Sequence, residues 1–189
     1  MNLLDLLLGK ARRPAPCGPH VGLTIGLIAD ELTRSCLQYE CQIVDLTPSN
    51  FTDKLRSERL DFVFVESAWT GHRSAWKFRI AAYPEHPERN NGDLIRLVDY
   101  ARDLGIPTVF WNKEDGVHFD RFIASARLFD TIFTVDASCV DRYCEIAGDG
   151  VHVGVLPFAM QPAIHGFTGI DAQRCGGCFG GWDRHHHHP

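Results

Sequence analysis

The sequence contains no apolar run near the roughly 20 residues that a membrane-spanning helix needs. It has no long run of basic residues either, and its 189 residues carry a formal net charge of −5. Nucleic-acid binding without sequence preference requires a basic surface, so this charge argues against a nucleic-acid partner. With 44% hydrophobic and 23% charged residues, the composition is typical of one globular domain, or of one domain and part of another.

Several signatures of nucleotide-binding and hydrolytic enzymes are absent as well. No G-x-G-x-x-G follows the first apolar run, and the chain has neither a P-loop nor a G-x-S-x-G nucleophile elbow. A phosphorelay receiver domain would need an aspartate after its third strand and a lysine after its fifth. Glu66 and Asp136 stand at those two places, so a receiver domain is excluded on two counts.

The seven cysteines are an odd number with irregular spacing, which does not match a disulfide framework. The opening stretch MNLLDLLLGKARR does not match a secretory signal, because Asp5 interrupts its apolar run and the basic residues follow that run. We therefore predict a reducing, cytoplasmic location.

The two terminal segments each have two interpretations. Residues 1–13 are typical of a short amphipathic helix that packs on its own domain; the alternative is peripheral contact with a membrane surface. Near the other end, Cys175 and Cys178 form a C-x-x-C that four consecutive histidines follow, which is a zinc-type set of ligands. A lone C-x-x-C is a weak signal, and consecutive histidines cannot all face one ion, so we expect no metal site.

Short apolar runs alternate with longer stretches of helical spacing. Residues 94–104, 119–128 and 140–147 place apolar side chains at i, i+3, i+4 and i+7, and the intervals 31–38 and 49–59 predict shorter helices. This alternation predicts an α/β fold, a Rossmann-like parallel sheet of about six strands with helices on both faces. The predicted strands are Val21–Ala29, Cys41–Leu46, Phe62–Val65, Thr108–Trp111, Thr131–Val135 and Val151–Leu156.

Acidic and polar residues follow several of these strands. The carboxyl ends of parallel strands form the crevice in which ligands bind, so residues directly after the strands are candidates for a site. Asp30 and Glu31 follow the first strand, Glu66 the third, residues 112–115 the fourth and Asp136 the fifth. Any one of them, Asp136 above all, is explained equally well as a helix cap. Four acidic strand ends together favour a functional edge.

Residues 66–92 join the third strand to its helix through far more than the roughly two to six residues that are usual in such a loop. The segment holds two tryptophans, a phenylalanine and a tyrosine, which argues against disorder. Aromatic rings beside basic side chains suit a sugar or a phosphate-bearing ligand. The alternative is a lid that packs its aromatic residues into a small core of its own.

A series of motifs across residues 24–184 resembles the CgeB, or spore-maturation-protein, type of glycosyltransferase-like proteins. The strongest motif places Trp-Asn-x-Glu-Asp directly before a nearby His and Phe. Family members often have proline after the acidic pair, where this chain has Gly116. The motifs are, in chain order, LDFVFVESAW, AWK, GIPTVFWNKEDGVHFDRF, ARLFDTIFTVDASCVDRY and VLPFAMQPAIH.

This resemblance implies the N-terminal half of a GT-B glycosyltransferase, in which two Rossmann-like halves face each other across a cleft. The N-terminal half would bind a sugar or glycan acceptor, and a second domain would bind the nucleotide-sugar donor. No metal or other cofactor is expected, since a helix dipole and basic side chains can stabilise the leaving diphosphate.

The resemblance also implies an organisation of the chain. We expect an N-terminal helix and linker in residues 1–19, the Rossmann-like domain in 20–166, and a linker with the start of the second half in 167–189. Because most of the donor-binding half would lie outside this sequence, the 189-residue chain alone is expected to be inactive.

Sugar transfer needs a base that takes the proton of the acceptor hydroxyl. The catalytic candidates are Glu114, Asp115 and His118, with Glu66 behind them, and the resemblance does not select one. Clustered carboxylates would raise the pKa of one member toward a useful range. The candidates for substrate binding are Trp69, Trp76 and Trp111, which could stack on a sugar ring, together with Lys77, Asn112, Lys113 and Asp136.

A second hypothesis belongs to another functional class. A stand-alone ligand-binding or regulatory Rossmann-like module would use the same crevice without catalysis. The two hypotheses differ in whether a second Rossmann-like half completes the site.

Overall fold

A computed structural model describes residues 16–165 as a six-stranded parallel sheet with five α-helices. The six predicted strands and the Rossmann-like class are confirmed. The predicted N-terminal helix, the C-x-x-C and the histidine run lie outside the described residues. The elements are β1 (Thr24–Ile28), α1 (Glu31–Leu37), β2 (Gln42–Asp45), α2 (Phe51–Ser57), β3 (Phe62–Glu66), α3 (Gly92–Asp103), β4 (Thr108–Asn112), α4 (Phe119–Ala126), β5 (Thr131–Thr134), α5 (Val140–Ala147) and β6 (His152–Val155).

The first strand begins three residues later than the apolar run predicts. Residues 19–22 form a turn, which the Leu23 N–H closes by donating to the His20 carbonyl at 2.9 Å. An apolar run alone does not reveal such a turn, because the turn is defined by its backbone bond.

The strands lie in the order β2-β1-β3-β4-β5-β6, with every neighbouring pair parallel. This order differs from the 3-2-1-4-5-6 order of dinucleotide-binding Rossmann domains, and its first five positions follow the flavodoxin-like order. β2 lies on one side of β1, and β3 to β6 follow one another on the other side, so the order of the strands reverses between β1 and β3. Ligand crevices form at this reversal point, so the carboxyl ends of β1, β3 and β4 are where a site is expected.

The helices divide unequally between the two faces of the sheet. Val63, Val65, Phe110 and Ile132 are 0% exposed and belong to the core cluster that α2, α3, α4 and α5 complete. On the opposite face, which we call the α1 face, only α1 contributes a helix among the described residues, through Leu37. Each face of the sheet is apolar, as a parallel sheet that is buried on both sides requires.

Helix α3 shows how the sequence pattern produces this packing. Leu94, Leu97, Val98 and Ala101 form its apolar stripe and are at most 1% exposed. The helix ends at Asp103, and Gly105 adopts a φ of +69°, a conformation that glycine reaches without steric cost. The helix predicted from the apolar stripe over residues 94–104 is therefore confirmed, and it ends just before this glycine.

The long segment after β3 folds back onto the domain. Trp76 is 1% exposed, and its indole Nε1 donates to the Leu46 carbonyl at 2.7 Å. The Ser125 hydroxyl of α4 donates to the Ile80 carbonyl at 2.6 Å. Trp76 therefore belongs to the main core and not to a separate small core of the segment.

No helix within residues 16–165 is long and apolar enough to cross a bilayer.

Replacing Trp76 by alanine should lower the free energy of unfolding by about 3–5 kcal/mol, because it empties a fully enclosed site and leaves the Leu46 carbonyl without its donor. The matched variant Trp69→Ala changes a half-buried indole and should cost about 1–2 kcal/mol. Urea denaturation followed by circular dichroism measures both values. Equal losses in the two variants would contradict the assignment of Trp76 to the core.

Candidate functional site

A buried ion pair lies at the centre of the crevice. Glu66 is the last residue of β3 and is 0% exposed, and its Oε1 pairs with the Lys113 ammonium group. The Lys113 backbone N–H donates to the hydroxyl of Ser67 at 3.0 Å. Because Lys113 directly follows β4, these two contacts fix the loop after β4 against the loop after β3.

The carboxyl group of Glu66 is enclosed on all sides. Burial raises its pKa, while Lys113 and the nearby Thr33 hydroxyl act in the opposite direction. Its Oε2 is buried and has no hydrogen-bond partner among the described residues. An enclosed carboxyl cannot touch a ligand in this arrangement, so Glu66 lies where it can position Lys113.

Asp30 holds the start of the long segment. Its carboxylate accepts from the backbone N–H of Gly71 at 2.7 Å, from that of Trp69 at 3.3 Å, and from the Thr70 hydroxyl at 3.1 Å. The acidic end of β1 therefore orients the residues that follow β3. Three donors converge on one carboxylate only after the strands are assembled.

A chain of hydrogen bonds runs beneath the loop after β4. Asn112 Nδ2 donates to the Tyr143 hydroxyl at 2.7 Å, and that hydroxyl donates to Asp115 Oδ1 at 2.9 Å. Asn112 Oδ1 accepts from the Glu114 N–H at 3.0 Å. Asn112 and Tyr143 are both 0% exposed, so this network is internal and sets the conformation of the loop.

Tyr143 is a site residue that the sequence pattern did not identify. It lies in the apolar stripe of α5, where an aromatic side chain is expected to be core. The only signal was its hydroxyl, which needs a hydrogen-bond partner when buried. Burial raises its pKa strongly, so the hydroxyl acts as a neutral donor toward Asp115.

Two aspartates near this network have pKa values shifted in opposite directions. Burial raises the pKa of Asp115, whose Oδ2 is enclosed without a hydrogen-bond partner in the described part of the chain. Asp136 accepts from the Ser138 hydroxyl at 2.7 Å and from the Ser138 N–H at 2.9 Å, and these bonds lower its pKa. Asp136 therefore caps the short helix Ala137–Cys139, which is the structural interpretation of that residue.

Trp69 and His118 form the partly exposed side of the crevice. Their ring centroids lie 5.1 Å apart at 87°, and Trp69 also packs edge-on against Phe122 at 5.1 Å. The His118 N–H donates to the Glu114 carbonyl at 2.8 Å. The structure thus brings the Trp69 and His118 rings together and ties the His118 backbone to that of Glu114, and all three residues retain partial exposure.

Of the seven predicted substrate-binding residues, only Trp69 joins this group. Asn112, Lys113 and Asp136 have the partners described above, and the other three lie elsewhere. Trp76 is enclosed in the core. Trp111 is 8% exposed, its Nε1 donates to the Leu156 carbonyl at 2.8 Å, and its ring packs on Phe158. Lys77 is exposed and lines a separate cleft of about 600 Å³ together with Arg79, Arg89, Arg96 and Asp93.

Within residues 16–165, no cluster of histidine, cysteine, aspartate and glutamate could hold a metal ion. Comparison of the chain with family models, with curated proteins and with solved structures gave no match. The resemblance to CgeB-type proteins therefore stays a prediction that rests on the sequence motifs.

The raised pKa of Asp115 leads to a pH-dependent stability with a definite sign. The protonated Asp115 carboxyl contributes to the free energy of unfolding. This contribution is fully present at pH values below the pKa of an unfolded aspartate, and it is lost as the pH rises through the higher pKa of the folded state. The variant Asp115→Asn should therefore gain stability relative to the parent chain as the pH rises above about 4, the pKa of an unfolded aspartate. Urea denaturation at a series of pH values measures this difference.

Asp136→Asn is the control with the opposite sign. Its folded-state pKa is lowered, so its carboxylate adds stability above the unfolded pKa, and that stability disappears as the pH falls. The variant should lose stability relative to the parent chain as the pH rises from about 2 to 5. A pH-independent difference for both variants would contradict the two assignments.

Proposed function

We propose that this chain is the acceptor-binding half of a GT-B glycosyltransferase, which transfers a sugar from a nucleotide-sugar donor to a sugar or glycan acceptor. The observation that carries the proposal is the contact between the Trp69 and His118 rings, on a loop whose backbone ties His118 to Glu114, at the carboxyl ends of β3 and β4. An aromatic ring beside an imidazole suits a sugar, which has apolar ring faces and many hydroxyls, and Glu114 adds a partly exposed carboxylate on the same loop. The motif series supports the same family.

Within this proposal the four catalytic candidates divide into two roles. His118 and Glu114 are partly exposed and can reach an acceptor hydroxyl, which is the first requirement of a general base. Glu66 is enclosed with Lys113, and Asp115 is bound to Tyr143. We assign Glu66 and Asp115 as positioning residues that hold the loop between Lys113 and His118.

The donor is assigned to a second Rossmann-like domain. GT-B enzymes form their reaction site between two such domains, and residues 16–165 form one. The leaving diphosphate would be stabilised there by a helix N-terminus and basic side chains, with no requirement for a metal.

The alternative, a non-catalytic ligand-binding or regulatory module, is favoured by a different observation. The side chains of Glu66, Asn112, Lys113 and Asp115 already have partners within the domain. A crevice whose polar groups are largely satisfied can bind a ligand at its edge without performing chemistry. The two hypotheses share the crevice and differ in turnover.

Acceptor binding is tested first with the 189-residue chain. Saturation-transfer difference NMR with a panel of monosaccharides and oligosaccharides should show binding that Trp69→Ala weakens about tenfold or more, because the stacking surface is lost. Trp69→Phe should retain part of the affinity, and Phe78→Ala, in the same segment, should retain all of it. The chain alone should not hydrolyse nucleotide-sugars. Absence of binding to every sugar in the panel would contradict the assignment of the acceptor site.

Catalysis is tested in a polypeptide that carries both halves. His118→Ala or Glu114→Gln should lower kcat by roughly 10²–10⁴-fold with little loss of stability, which is the usual contribution of a general base. The matched controls are His86→Ala and Glu85→Gln, two exposed positions of the long segment. If Glu114→Gln, Asp115→Asn and His118→Ala all keep near-normal kcat, none of the three is the base. If sugars bind but no donor is consumed, the binding module is the better description.

A further inference from the structure

Half of the α1 face has no helix over it among the described residues. Four apolar strand residues share this face: Phe64, Val109, Trp111 and Phe133. Phe64 pairs with Val109 across β3 and β4, and Trp111 pairs with Phe133 across β4 and β5. Val109 and Trp111 lie two positions apart in β4, so they point to the same side of the sheet. Phe64, Val109 and Phe133 remain partly exposed, whereas the four-helix face is closed. A parallel sheet is stable with both faces covered, so this surface requires a cover.

The described chain after β6 covers this face only in part. The Leu156 carbonyl accepts from the Trp111 indole, and Phe158 packs on the same ring. Phe158 and Met160 nevertheless remain 63% and 72% exposed. These side chains add to the apolar surface, and a contiguous exposed apolar patch of this kind marks a contact site.

A groove leads from this surface to the point where the described chain begins. It has a volume of about 360 Å³ and lies between strand residues Ile25, Phe62 and Phe64, the end of α1, and Met160. Its rim includes His20 and Leu23. The N–H groups of Cys17 and Gly18 donate to the Tyr39 carbonyl just beyond α1, at 2.8 and 3.0 Å, so the chain enters the domain beside the groove.

The fifteen residues that precede this entry are suited to the groove. Residues 3–8, which we call the leucine segment, contain five leucines and one aspartate, and the basic residues follow them. We propose that the leucine segment packs intramolecularly in the groove and across the exposed half of the α1 face, and so supplies the cover of the sheet. This is an apolar interface between the N-terminus and the sheet.

The length of the chain permits this contact. Residues 9–15 can span up to about 23 Å when extended. Tyr39 lies between α1 and β2, and the distance from β2 to β5 is four strand spacings, or roughly 19 Å. The leucine segment can therefore reach Val109 and Phe133 from its entry point beside Tyr39.

The other undescribed part of the chain is less suited to the role. Residues 166–189 contain six glycines and a run of four histidines, and their apolar residues are scattered. Such a composition does not provide a continuous apolar surface, whereas five leucines within six positions do. This contrast selects the N-terminal segment as the occupant.

Site-specific photo-crosslinking in the complete chain tests the proposal. With p-benzoylphenylalanine at position 7, irradiation should give intramolecular cross-links to peptides of β3, β4 and β5, located by mass spectrometry. The same group at position 11, beyond the leucine segment, is the matched control and should give few cross-links to these strands. Cross-links only between two chains, or none to these strands, would overturn the intramolecular contact.

A second measurement does not depend on cross-linking. The double variant Leu4→Asp and Leu7→Asp should lower Tm by about 4–8 °C and increase binding of the apolar dye ANS, whereas Asp5→Asn should change neither. The milder Leu7→Ala serves if the double variant does not fold. Unchanged Tm and dye binding would contradict the proposal.

Co-sedimentation with lipid vesicles tests the competing possibility that the leucine segment binds a membrane surface. The parent chain should not co-sediment with vesicles of equal parts phosphatidylserine and phosphatidylcholine, because its leucines are already buried. Co-sedimentation that the double variant abolishes, in the absence of intramolecular cross-links, would assign the leucine segment to a membrane surface and overturn the proposal.

Discussion

The buried pair of Glu66 and Lys113 is the interaction on which the crevice depends. Both groups lie at the carboxyl ends of neighbouring strands, and removal of Lys113 would leave the fully enclosed Glu66 carboxyl without its counter-ion. A pair of this kind costs desolvation energy, so we interpret it as a device that specifies one arrangement of the loops after β3 and β4. The loop after β4 then carries Glu114 and His118 to the surface in a defined position.

The polar edge therefore consists of two layers with different tasks. The inner layer is Glu66, Asn112, Asp115 and Tyr143, whose side chains are buried or half-buried and which bond to one another or to Lys113. The outer layer is Trp69, Glu114 and His118, which are partly exposed and available to a ligand. A dense run of polar residues after a strand thus contains both supporting groups and candidate contact groups, and only the outer layer can meet a substrate directly.

The unequal covering of the sheet is the second organising feature. The crossovers through α2, α3, α4 and α5 all lie on one face, which is why that face is closed to solvent. The single crossover through α1 lies on the other face and protects only the β1 and β2 side. The same topology that places the crevice at the reversal between β1 and β3 therefore also leaves apolar strand residues in need of a cover.

The elements of this protein can be read from its amino-acid pattern: the six strands, the helices between them and the acidic groups at the strand ends. Apolar periodicity reports how each segment is buried, and Gly105 marks the end of α3 through its backbone conformation. The strand order, the enclosure of Glu66 and Trp76, and the hydrogen bond between Asn112 and Tyr143 arise only when the chain is folded. These depend on contacts between residues 30 or more positions apart, and a local pattern of polarity contains no information about which distant segment will become its neighbour.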